Sequence, residues 1–510
     1  MATAGNSRLV LAAMIFAVAM TFIDQTIVAI AVPELQKDLS LSSTGVQWVV
    51  NGYLLSLSAL FAFGGRLADI AGPRRMVIVG VVGFATTSAL CGATPTGSAA
   101  EAWLIAFRVA QGGFAALMFP AALAIVVAAY DVSERGKALA AFFGITGGLT
   151  AIGPLVGGYL VAIDWRAIFW VNVPVAIVAL VLIAVSKPAD DRHPAPLDWR
   201  GAFLVSAGMG LAVLGLQESS DWGWGDPLTW LCIGAGLALL AAFAAVELRT
   251  HEPLIDVRMF GDRGFAVDNA VLFLLSAAFV PLFFFASLYA QLSLEQSASQ
   301  TGLYLLIFFA GFGTASQFGG RILDQRGARA SVVPGCVVAA IGMALWAWRL
   351  PDQDLSNQWY FIVLAGAGMG LMLGPASTDA VNRAPRTSYG AVTGVTQTAR
   401  NFGASLGMAV LGTILILRNE TNIEASLESA GLSARQAERT ADALSHAGDG
   451  SQSEFAERAG ANAQEVFSAV QHDFALSIGT VFYVMAGALV LAFLVAVLWM
   501  PAGRAAEPEP

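Results

Sequence analysis

Fourteen apolar segments, most of them about 18 to 28 residues long, follow one another along this 510-residue chain. A helix needs about 20 apolar residues to cross the hydrocarbon core of a bilayer, and these segments have that length. They lack the strand-like alternation of a barrel, so spanning helices are expected. The predicted spans are 9–33, 45–65, 76–93, 102–129, 138–163, 167–186, 201–217, 228–247, 265–291, 301–319, 330–348, 358–379, 390–417 and 475–499.

Composition supports the same class, because 57% of the residues are hydrophobic and only 12% are charged. Soluble domains carry about 25% charged residues. We therefore predict an all-α polytopic membrane protein. The first apolar run is too long for the h-region of a signal peptide, and no small-residue cleavage site follows it, so we expect it to remain as a membrane anchor.

The distribution of Lys and Arg predicts the orientation of the chain. Eighteen of the 27 basic residues fall in one set of alternating loops and termini, and seven fall in the other set. Because short cytoplasmic loops hold the positive excess, both termini are predicted to face the cytoplasm. We expect a multi-pass protein of the cytoplasmic (inner) membrane. The helix ends on the basic side are called the predicted inner ends below, and the opposite ends the predicted outer ends.

Cysteine and histidine give no indication of a disulfide framework, a metal centre or a cofactor. The three cysteines lie within apolar spans and are odd in number, so they are expected to be small buried residues. The four histidines fall in loops, which removes them from a proton relay inside the membrane. The net charge of −9 implies no nucleic-acid partner. The cysteines are Cys91, Cys232 and Cys336, and the histidines are His193, His251, His446 and His472.

A charged stretch occurs twice in the chain. "FGGRLADIAGPRRMVIVG" covers residues 63–80, and "FGGRILDQRGARASVVPG" covers residues 318–335. An internal repeat of this size is typical of transporters built from two related bundles with a site between them. The first copy joins predicted spans 2 and 3 and the second joins spans 10 and 11, so two helices have been inserted between two six-helix bundles.

This arrangement predicts four parts of the chain. Residues 1–186 form an N-terminal six-helix bundle, and residues 187–264 form the two inserted transmembrane helices with their flanking loops. Residues 265–500 form the C-terminal six-helix bundle, which includes a polar outer loop at 418–474. The tail 501–510 is predicted to be disordered because of its composition.

The residues of "GRLADIAGPRR" resemble the loop motif of the major facilitator superfamily. The matching positions are Gly65, Asp69, Gly72, Arg74 and Arg75, and the second copy has Gly320, Asp324, Gly327 and Arg329. Gly65 would allow a neighbouring helix to approach, and Asp69 would lie at the positive N-terminus of that helix. The resemblance implies a latch on the cytoplasmic side that opens for alternating access. The alternative is that the arginines only supply the positive charge of an inner loop.

Further stretches resemble signatures of the fourteen-helix drug:proton antiporter branch of this superfamily. They are "FIDQTIVAIAVPEL" in span 1 and "DWRAIFWVNVP" at the start of span 6. "LIAFRVAQGGFAA" in span 4 resembles the proton-coupling motif of drug exporters. "GITGGLTAIGPLVGG" in span 5 resembles the antiporter motif, through Gly148, Gly153, Pro154, Gly157 and Gly158. The resemblance covers nearly the whole chain and implies the major facilitator fold, with fourteen helices as two six-helix bundles plus two inserted helices.

Asp24 in span 1 and Arg108 in span 4 are ionisable residues predicted to lie deep in the membrane. The helix rise puts Asp24 about 13 Å and Arg108 about 9 to 10 Å from the outer surface, so the two are close enough in depth to pair. Buried charges cost about 2.5 to 3.5 kcal/mol each and are rare without a purpose. We predict that Asp24 carries the exchanged proton and that Arg108 tunes it. The alternative is a permanent ion pair that positions two helices.

Other residues are nominated for substrate contact. Arg400 lies near the middle of span 13, beside Gln397, and is equally expected to contact substrate or to brace the bundle. A pocket for lipophilic compounds needs apolar and aromatic walls with few polar groups. The first-half nominations for such a pocket are Phe22, Asn51, Gln111, Phe142 and Phe143.

Some residues near the ends of spans are given a structural interpretation first. Asp268 and Asp379 lie near the predicted inner ends of spans 9 and 12, so we expect end-of-helix charges and only secondarily proton entry points. Trp48 and Tyr53 lie where an interfacial belt of aromatic residues is expected.

The function predicted from these residues is proton-coupled antiport that exports lipophilic drugs or toxic compounds by alternating access. The partners are a lipophilic small molecule, the proton and the lipid bilayer, and a monomer is the default. The closer alternative is a proton-coupled exporter of one endogenous metabolite, such as an antibiotic, lipid or siderophore. A receptor or scaffold of the same fold would be expected to lose Asp24 or Arg108. No nucleotide-binding motif or catalytic cluster is evident, so neither ATP-driven transport nor an enzyme is expected.

Overall fold

The computed structural model describes residues 4–130, 132–188, 190, 197–383, 389–429 and 463–503. Within these ranges the secondary structure is helical. The helices of the first half are α1 (Ala4–Leu39), α2 (Ser43–Ala71), α3 (Pro73–Gly92), α4 (Ala100–Ala129), α5 (Val132–Val161), α6 (Ala167–Trp170) and α7 (Asn172–Ser186). The next are α8 (Trp199–Gln217), α9 (Ser219–Trp222) and α10 (Pro227–Glu247). The second half has α11 (Arg263–Leu292), α12 (Ala298–Arg326), α13 (Arg329–Arg349), α14 (Trp359–Asn382), α15 (Tyr389–Ser429) and α16 (Ala463–Trp499).

The membrane-spanning helices agree with the number predicted from the apolar segments. Among the described residues, 13 helices are long and apolar enough to cross a membrane, with α6 and α7 counted as one span, Ala167–Ser186. Helix α5 is the remaining one, and its shorter apolar part is Gly148–Val161. Residues that favour the start of a helix occupy the first turns of several helices. Pro73 and Pro227 occupy first-turn positions, where a missing N–H has no consequence, and Ser297 and Gln300 form a capping box.

The helices pack as two groups joined by an inserted pair. Helices α1 to α5 and α7 contact one another in the first half, and α11 to α16 contact one another in the second half. Helices α8 and α10 pack together, and α8 also lies against α2 from the first half and α15 from the second. The predicted fold class of two six-helix bundles with two inserted helices is therefore confirmed. The residue boundaries at 186 and 264 remain predictions.

The two bundles meet through small residues and backbone at the predicted outer end. A Cβ on Gly158 of α5 would collide with the carbonyl oxygen of Ala298, and one on Gly302 of α12 would collide with that of Pro154. Gln291 of α11 donates to the carbonyl oxygen of Ile30 in α1 at 2.9 Å. Such glycine contacts let helices approach closely where lipid supplies no hydrophobic force for association. The bundles are thus in tight contact at this end.

The repeated charged stretch adopts the same turn in both halves. Gly72 and Gly327 have φ angles of +100° and +86°, a region that favours glycine, and each ends a helix by donating its N–H to the carbonyl oxygen four residues earlier. The next helix begins at once, with Pro73 after Gly72 and Arg329 two residues after Gly327. The duplicated sequence therefore produces a duplicated backbone geometry.

The close helix approach lies one residue away from the predicted position. A Cβ on Gly64 would collide with the carbonyl oxygen of Ala116 in α4, whereas one on Gly65 would meet only the Pro120 side chain at 3.5 Å. In the second copy Gly319 makes the tight contacts, and Gly320 has nothing within 4 Å of its Cβ position. The expectation for Gly65 is corrected because consecutive residues point about 100° apart around a helix of 3.6 residues per turn.

The predicted outer loop 418–474 is helical at both ends. Helix α15 continues to Ser429, and α16 begins at Ala463, well before the predicted span start at 475. The two extensions pack side by side, and Asn422 donates to Ser477 Oγ at 2.9 Å. The polar, alanine-rich sequence of this segment permits a helix, so both neighbouring helices continue beyond the predicted ends of their spans. Residues 430–462 and 504–510 lie outside the described residues.

Candidate functional site

Asp24, Arg108 and Gln111 form a closed hydrogen-bonded group in the N-terminal bundle. Arg108 Nη1 donates to Asp24 Oδ2 at 2.6 Å and to Gln111 Oε1 at 2.7 Å, and Gln111 Nε2 donates to Asp24 Oδ1 at 3.0 Å. The exposed fractions of Asp24, Arg108 and Gln111 are 0%, 1% and 0%. The pairing expected from depth along the helices is present, and both oxygens of Asp24 are engaged.

The guanidinium of Arg108 has further partners on α2. Its Nε donates to the carbonyl oxygen of Val49 at 2.8 Å, and its Cζ lies 4.5 Å from the ring centroid of Tyr53. A cation over an aromatic face is stabilised by the ring quadrupole. Tyr53 is fully buried, so its assignment to an interfacial belt was wrong. The span boundary placed Tyr53 near the membrane surface, whereas the face of α2 that it occupies decides its burial.

Local sequence explains how α1, α2 and α4 converge on this group. Arg108 and Gln111 are three residues apart on α4 and therefore share one helix face. Gly112 lets α4 approach α2 so closely that a Cβ there would collide with the carbonyl oxygen of Tyr53. The glycine beside Gln111 is thus what brings Val49 within reach of Arg108.

A cluster of aromatic rings lies on the same bundle. The ring of Phe119 is 5.7 Å from Phe22, 6.3 Å from Phe142 and 5.4 Å from Phe61. Phe22 and Phe142 were nominated from the sequence, whereas Phe119 and Phe61 were missed because apolar aromatic residues in a span give no sign of which face they occupy. The side chain of Phe143 lies outside the described residues.

Asn51 of α2 connects the N-terminal bundle to the inserted pair and to the C-terminal bundle. The sequence did not indicate these contacts. Its side-chain amide lies 2.5 Å from that of Gln217 at the end of α8, and its Oδ1 accepts from Ser405 Oγ of α15 at 2.6 Å. Close by, Trp48 Nε1 donates to Glu218 Oε1 at 2.6 Å. Burial raises the pKa of the half-buried Glu218 carboxyl above its usual range. The polar atoms of Asn51 are occupied by protein in this conformation.

Arg400 and Gln397 form a separate pair on α15. Arg400 Nη1 donates to Gln397 Oε1 at 2.7 Å, and its Nε has no acceptor among the described residues. No hydrogen bond or ion pair found in the described part of the chain joins this pair to Asp24 or Arg108. An arginine nitrogen buried without an acceptor is unfavourable, and a bound polar group would relieve it.

The antiporter-motif residues of α5 pack against both bundles. A Cβ on Gly153 would collide with Thr26 Oγ1 of α1, and one on Gly157 would crowd Ile27. Gly158 and the carbonyl of Pro154 face α12 instead, while Gly148 has open space around it. This helix therefore has glycine faces towards its own bundle and towards the partner bundle.

The loop-motif residues after α2 and α12 have contacts with linker and terminal segments. The backbone N–H of Arg74 donates to Asp190 Oδ1 at 3.2 Å, and Arg66 Nη2 pairs with Glu252 Oε2 at 2.5 Å. In the second copy, Arg329 donates to the carbonyl oxygens of Met500 and Val497 at the end of α16. The remaining motif side chains Asp69, Arg75 and Asp324 are exposed.

Asp268 and Asp379 lie near helix ends, as the sequence suggested, but both are buried. Their exposed fractions are 0% and 1%. They lie together with Arg383, whose Nε donates to Asp379 Oδ2 at 2.7 Å. The packing of α11 against α14 covers both carboxyl groups, which position along the sequence did not indicate.

Comparison with known proteins gives the family. Residues 14–408 match the Major Facilitator Superfamily. The chain belongs to the Major Facilitator Superfamily. It is therefore a multi-pass membrane protein of a transporter family and not an enzyme.

Related proteins named for resistance and export are similar over most of the chain. The tetracenomycin C resistance and export protein of Streptomyces glaucescens is 34% identical over 408 residues, covering 79% of this chain and 74% of that protein. The puromycin resistance protein pur8 of Streptomyces alboniger is 35% identical over 400 residues, covering 77% and 78%. A multidrug resistance protein B homolog of Mycobacterium tuberculosis is 29% identical over 503 residues, covering 97% and 90%.

Solved structures of low sequence identity share the fold. A bacterial homologue of the human lysosomal transporter Spinster, in an inward-facing and unoccupied conformation, matches with a TM-score of 0.64 at 16% identity, covering 98% of both chains. A D-xylose–proton symporter matches with a TM-score of 0.58 at 13% identity, covering 86% of this chain and 96% of that one. At these identities the match establishes the fold alone.

Proposed function

We propose that this protein is a proton-coupled antiporter that exports lipophilic compounds across the cytoplasmic membrane by alternating access. The observation that carries the proposal is the buried group of Asp24, Arg108 and Gln111, in which one carboxylate and one guanidinium are fully enclosed by three helices. A charge pair inside a membrane bundle is costly and is typical of ion or proton pathways. The export and resistance names of the relatives support the same direction of transport.

Protonation of Asp24 would change the contacts between α1 and α4. A neutral carboxyl group no longer attracts the guanidinium, while Arg108 keeps its bond to Val49 and its place over Tyr53. The α1–α4 contact is then weakened and the α2–α4 contact is retained. Because the same proton alters which helices are held together, its binding is coupled to a change in bundle geometry.

The substrate proposal rests on the aromatic cluster and on the relatives. Phe22, Phe119 and Phe142 supply apolar surface in the same bundle as the polar group of Asp24, Arg108 and Gln111, which suits a lipophilic compound with a few polar atoms. Several relatives are named for a single compound, such as tetracenomycin C, puromycin or cephamycin. This favours, as a second candidate, export of one antibiotic-like compound in place of many drugs.

The orientation and the gates belong to the same proposal. With both termini in the cytoplasm, the contacts of Gly158, Gly302 and Gln291 close the outer side, and the motif loops after α2 and α12 form the inner gate. Gly72, Arg74 and Arg75 of the first loop and Gly327 and Arg329 of the second are then latch residues. A single chain contains both bundles and the pair, so a monomer is the proposed working unit.

The test is uptake of dyes or antibiotics into everted membrane vesicles under an imposed pH gradient. We expect uptake that an uncoupler abolishes and that Asp24→Asn removes at unchanged expression. Arg166→Gln, which alters a partly exposed ion pair with Asp38, is the matched control and should retain uptake. Transport that survives both the uncoupler and Asp24→Asn would refute proton coupling through Asp24. Uptake of one compound only, among many tested, would favour the single-compound exporter.

A further inference from the structure

Two aspartates share one arginine near the predicted inner end of the C-terminal bundle. Asp268 lies in the second turn of α11, and Asp379 lies in the last turn of α14. Arg383 Nε donates to Asp379 Oδ2 at 2.7 Å and lies 3.7 Å from Asp268 Oδ2. The second distance is too long for a hydrogen bond. One guanidinium therefore faces two buried carboxyl groups.

The surroundings of Asp268 do not suit an ionised carboxylate. Neither of its oxygens accepts a hydrogen bond from any described residue. Asp379 Oδ2 and Asp268 Oδ2 lie 2.7 Å and 3.7 Å from the same atom, Arg383 Nε, so the two carboxyl groups are held together, but two ionised carboxylates have no donor to share. An ionised group that is buried without donors is strongly unfavourable, and two carboxylates held together do not both ionise. One proton between them supplies the missing donor and brings the buried charge to zero.

No other cation in the described part of the chain balances the second carboxylate. Asp262, which caps α11, is a further negative charge acting on Asp268. Arg263 donates to carbonyl oxygens at the end of α16, Arg258 to that of Leu248, and Arg400 on α15 to Gln397. The remaining charged side chains at the inner ends of α1, α12 and α13 are exposed or bonded to α16, namely Arg8, Arg321, Asp324, Arg326 and Arg329.

We propose that Asp268, Asp379 and Arg383 form a second proton-binding site, in which one proton is shared by the two carboxyl groups at neutral pH. The proposal rests on the proposed function, because it adds a proton site to the antiporter besides Asp24. Arg383 retains 15% side-chain exposure and so connects the site to water at the predicted inner end. The site is thus placed to exchange its proton with the cytoplasmic side.

The position of the site links it to the movement of the bundles. Phe265 and Ala380, next to the two aspartates along α11 and α14, belong to a small buried apolar cluster. That cluster also contains Ala59 of α2, Val205 of α8 and Phe243 of α10. Both bundles and the inserted pair therefore meet beside the carboxyl groups. Loss of the proton places a net negative charge at this junction, which favours its opening to water.

The proposal is tested by infrared spectra of the purified full-length protein in detergent, with the spectrum of each variant subtracted from that of the wild type. The probe is the C=O stretching band of a protonated carboxylic acid at neutral pH. We expect the wild type to contain this band and Asp268→Asn and Asp379→Asn each to lose it, because the remaining carboxylate then pairs with Arg383. Arg383→Gln should keep or strengthen the band, because the competing cation is gone.

Two controls separate this proposal from the proposed function. Asp226→Asn, at the exposed N-cap of α10, retains a capping side chain and should leave the band unchanged. Asp24→Asn should also leave the Asp268-dependent band unchanged, so a failure of Asp24 in vesicle transport does not decide this result. Each variant is first checked for a single monodisperse peak on gel filtration. A wild type without the band at neutral pH, or a band equally strong in a folded Asp268→Asn protein, would overturn the shared-proton site.

Discussion

Arg108→Met tests whether the buried pair behaves as an enclosed charge pair. The substitution removes the donors to Asp24 Oδ2 and Gln111 Oε1 and leaves Asp24 with the Gln111 amide at 3.0 Å. Removing one partner of a buried pair costs about 3–5 kcal/mol. Since Asp24 and Arg108 are 0% and 1% exposed, that range applies and not the ~0–1 kcal/mol of a surface pair.

The double variant Asp24→Leu with Arg108→Met removes both charges together. The group then left without partners is the side chain of Gln111, at a cost of about 1–3 kcal/mol. We therefore expect the double variant to be more stable than Arg108→Met alone, so that the effects of the single substitutions do not add. The matched control is Arg166→Met, whose pair with Asp38 is partly exposed and should contribute at most about 1 kcal/mol.

The assay is unfolding of the purified protein in mixed micelles containing a denaturing detergent, followed by helix content. Acid provides a second readout, because protonation of the lone Asp24 removes its charge. The deficit of Arg108→Met should therefore shrink as pH falls, while the deficit of the double variant stays constant. Additive single and double effects, or a deficit of Arg108→Met that is the same at all pH values, would refute the enclosed-pair reasoning.

Three further outcomes test the packing and the polar contacts by thermal unfolding in detergent. Gly64→Ala should destabilise the protein because the new Cβ meets backbone of α4. Gly65→Ala should be neutral or gain up to about 1 kcal/mol of stability from helix propensity. Equal effects of the two substitutions would contradict the assignment of the close helix approach to Gly64. Arg329→Gln should lose about 1.5–3 kcal/mol, nearer the lower value because the side chain is partly exposed. Glu218→Gln should stabilise the protein at neutral pH and match the stability of the wild type in acid. The raised pKa of Glu218 makes its ionised form unfavourable in the folded state, so the wild type loses stability as pH rises through that pKa. An effect of Glu218→Gln that persists in acid would refute this account.

Regular geometry explains which parts of the site were predictable. The rise of a helix is fixed, so counting residues from the span ends put Asp24 and Arg108 at similar depths, and the structure pairs them at 2.6 Å. Gln111 was nominated only for the substrate pocket, and the structure adds it to the charged pair because it lies three residues from Arg108 on the same helix face. These inferences use distance along a helix, which sequence determines directly.

Rotation about the helix axes and neighbours from distant segments were not predictable. The close approach lies at Gly64 and not Gly65, and Tyr53 lies inside the bundle and not in an interfacial belt. The partners of Asn51 come from α8 and α15, 166 and 354 residues away in sequence. A linear pattern fixes neither the face that a residue occupies nor the helix that covers it.

The sequence by itself determined the number of spans and the duplicated halves with an inserted pair, because apolar length and glycine spacing are each set by the bilayer as solvent. Tertiary structure decided which charges are enclosed. Asp268 and Asp379 lie at span ends, where sequence suggests contact with water, yet packing of α11 against α14 removes them from it. Burial depends on what the neighbouring helices cover, and that is a property of the assembled bundle.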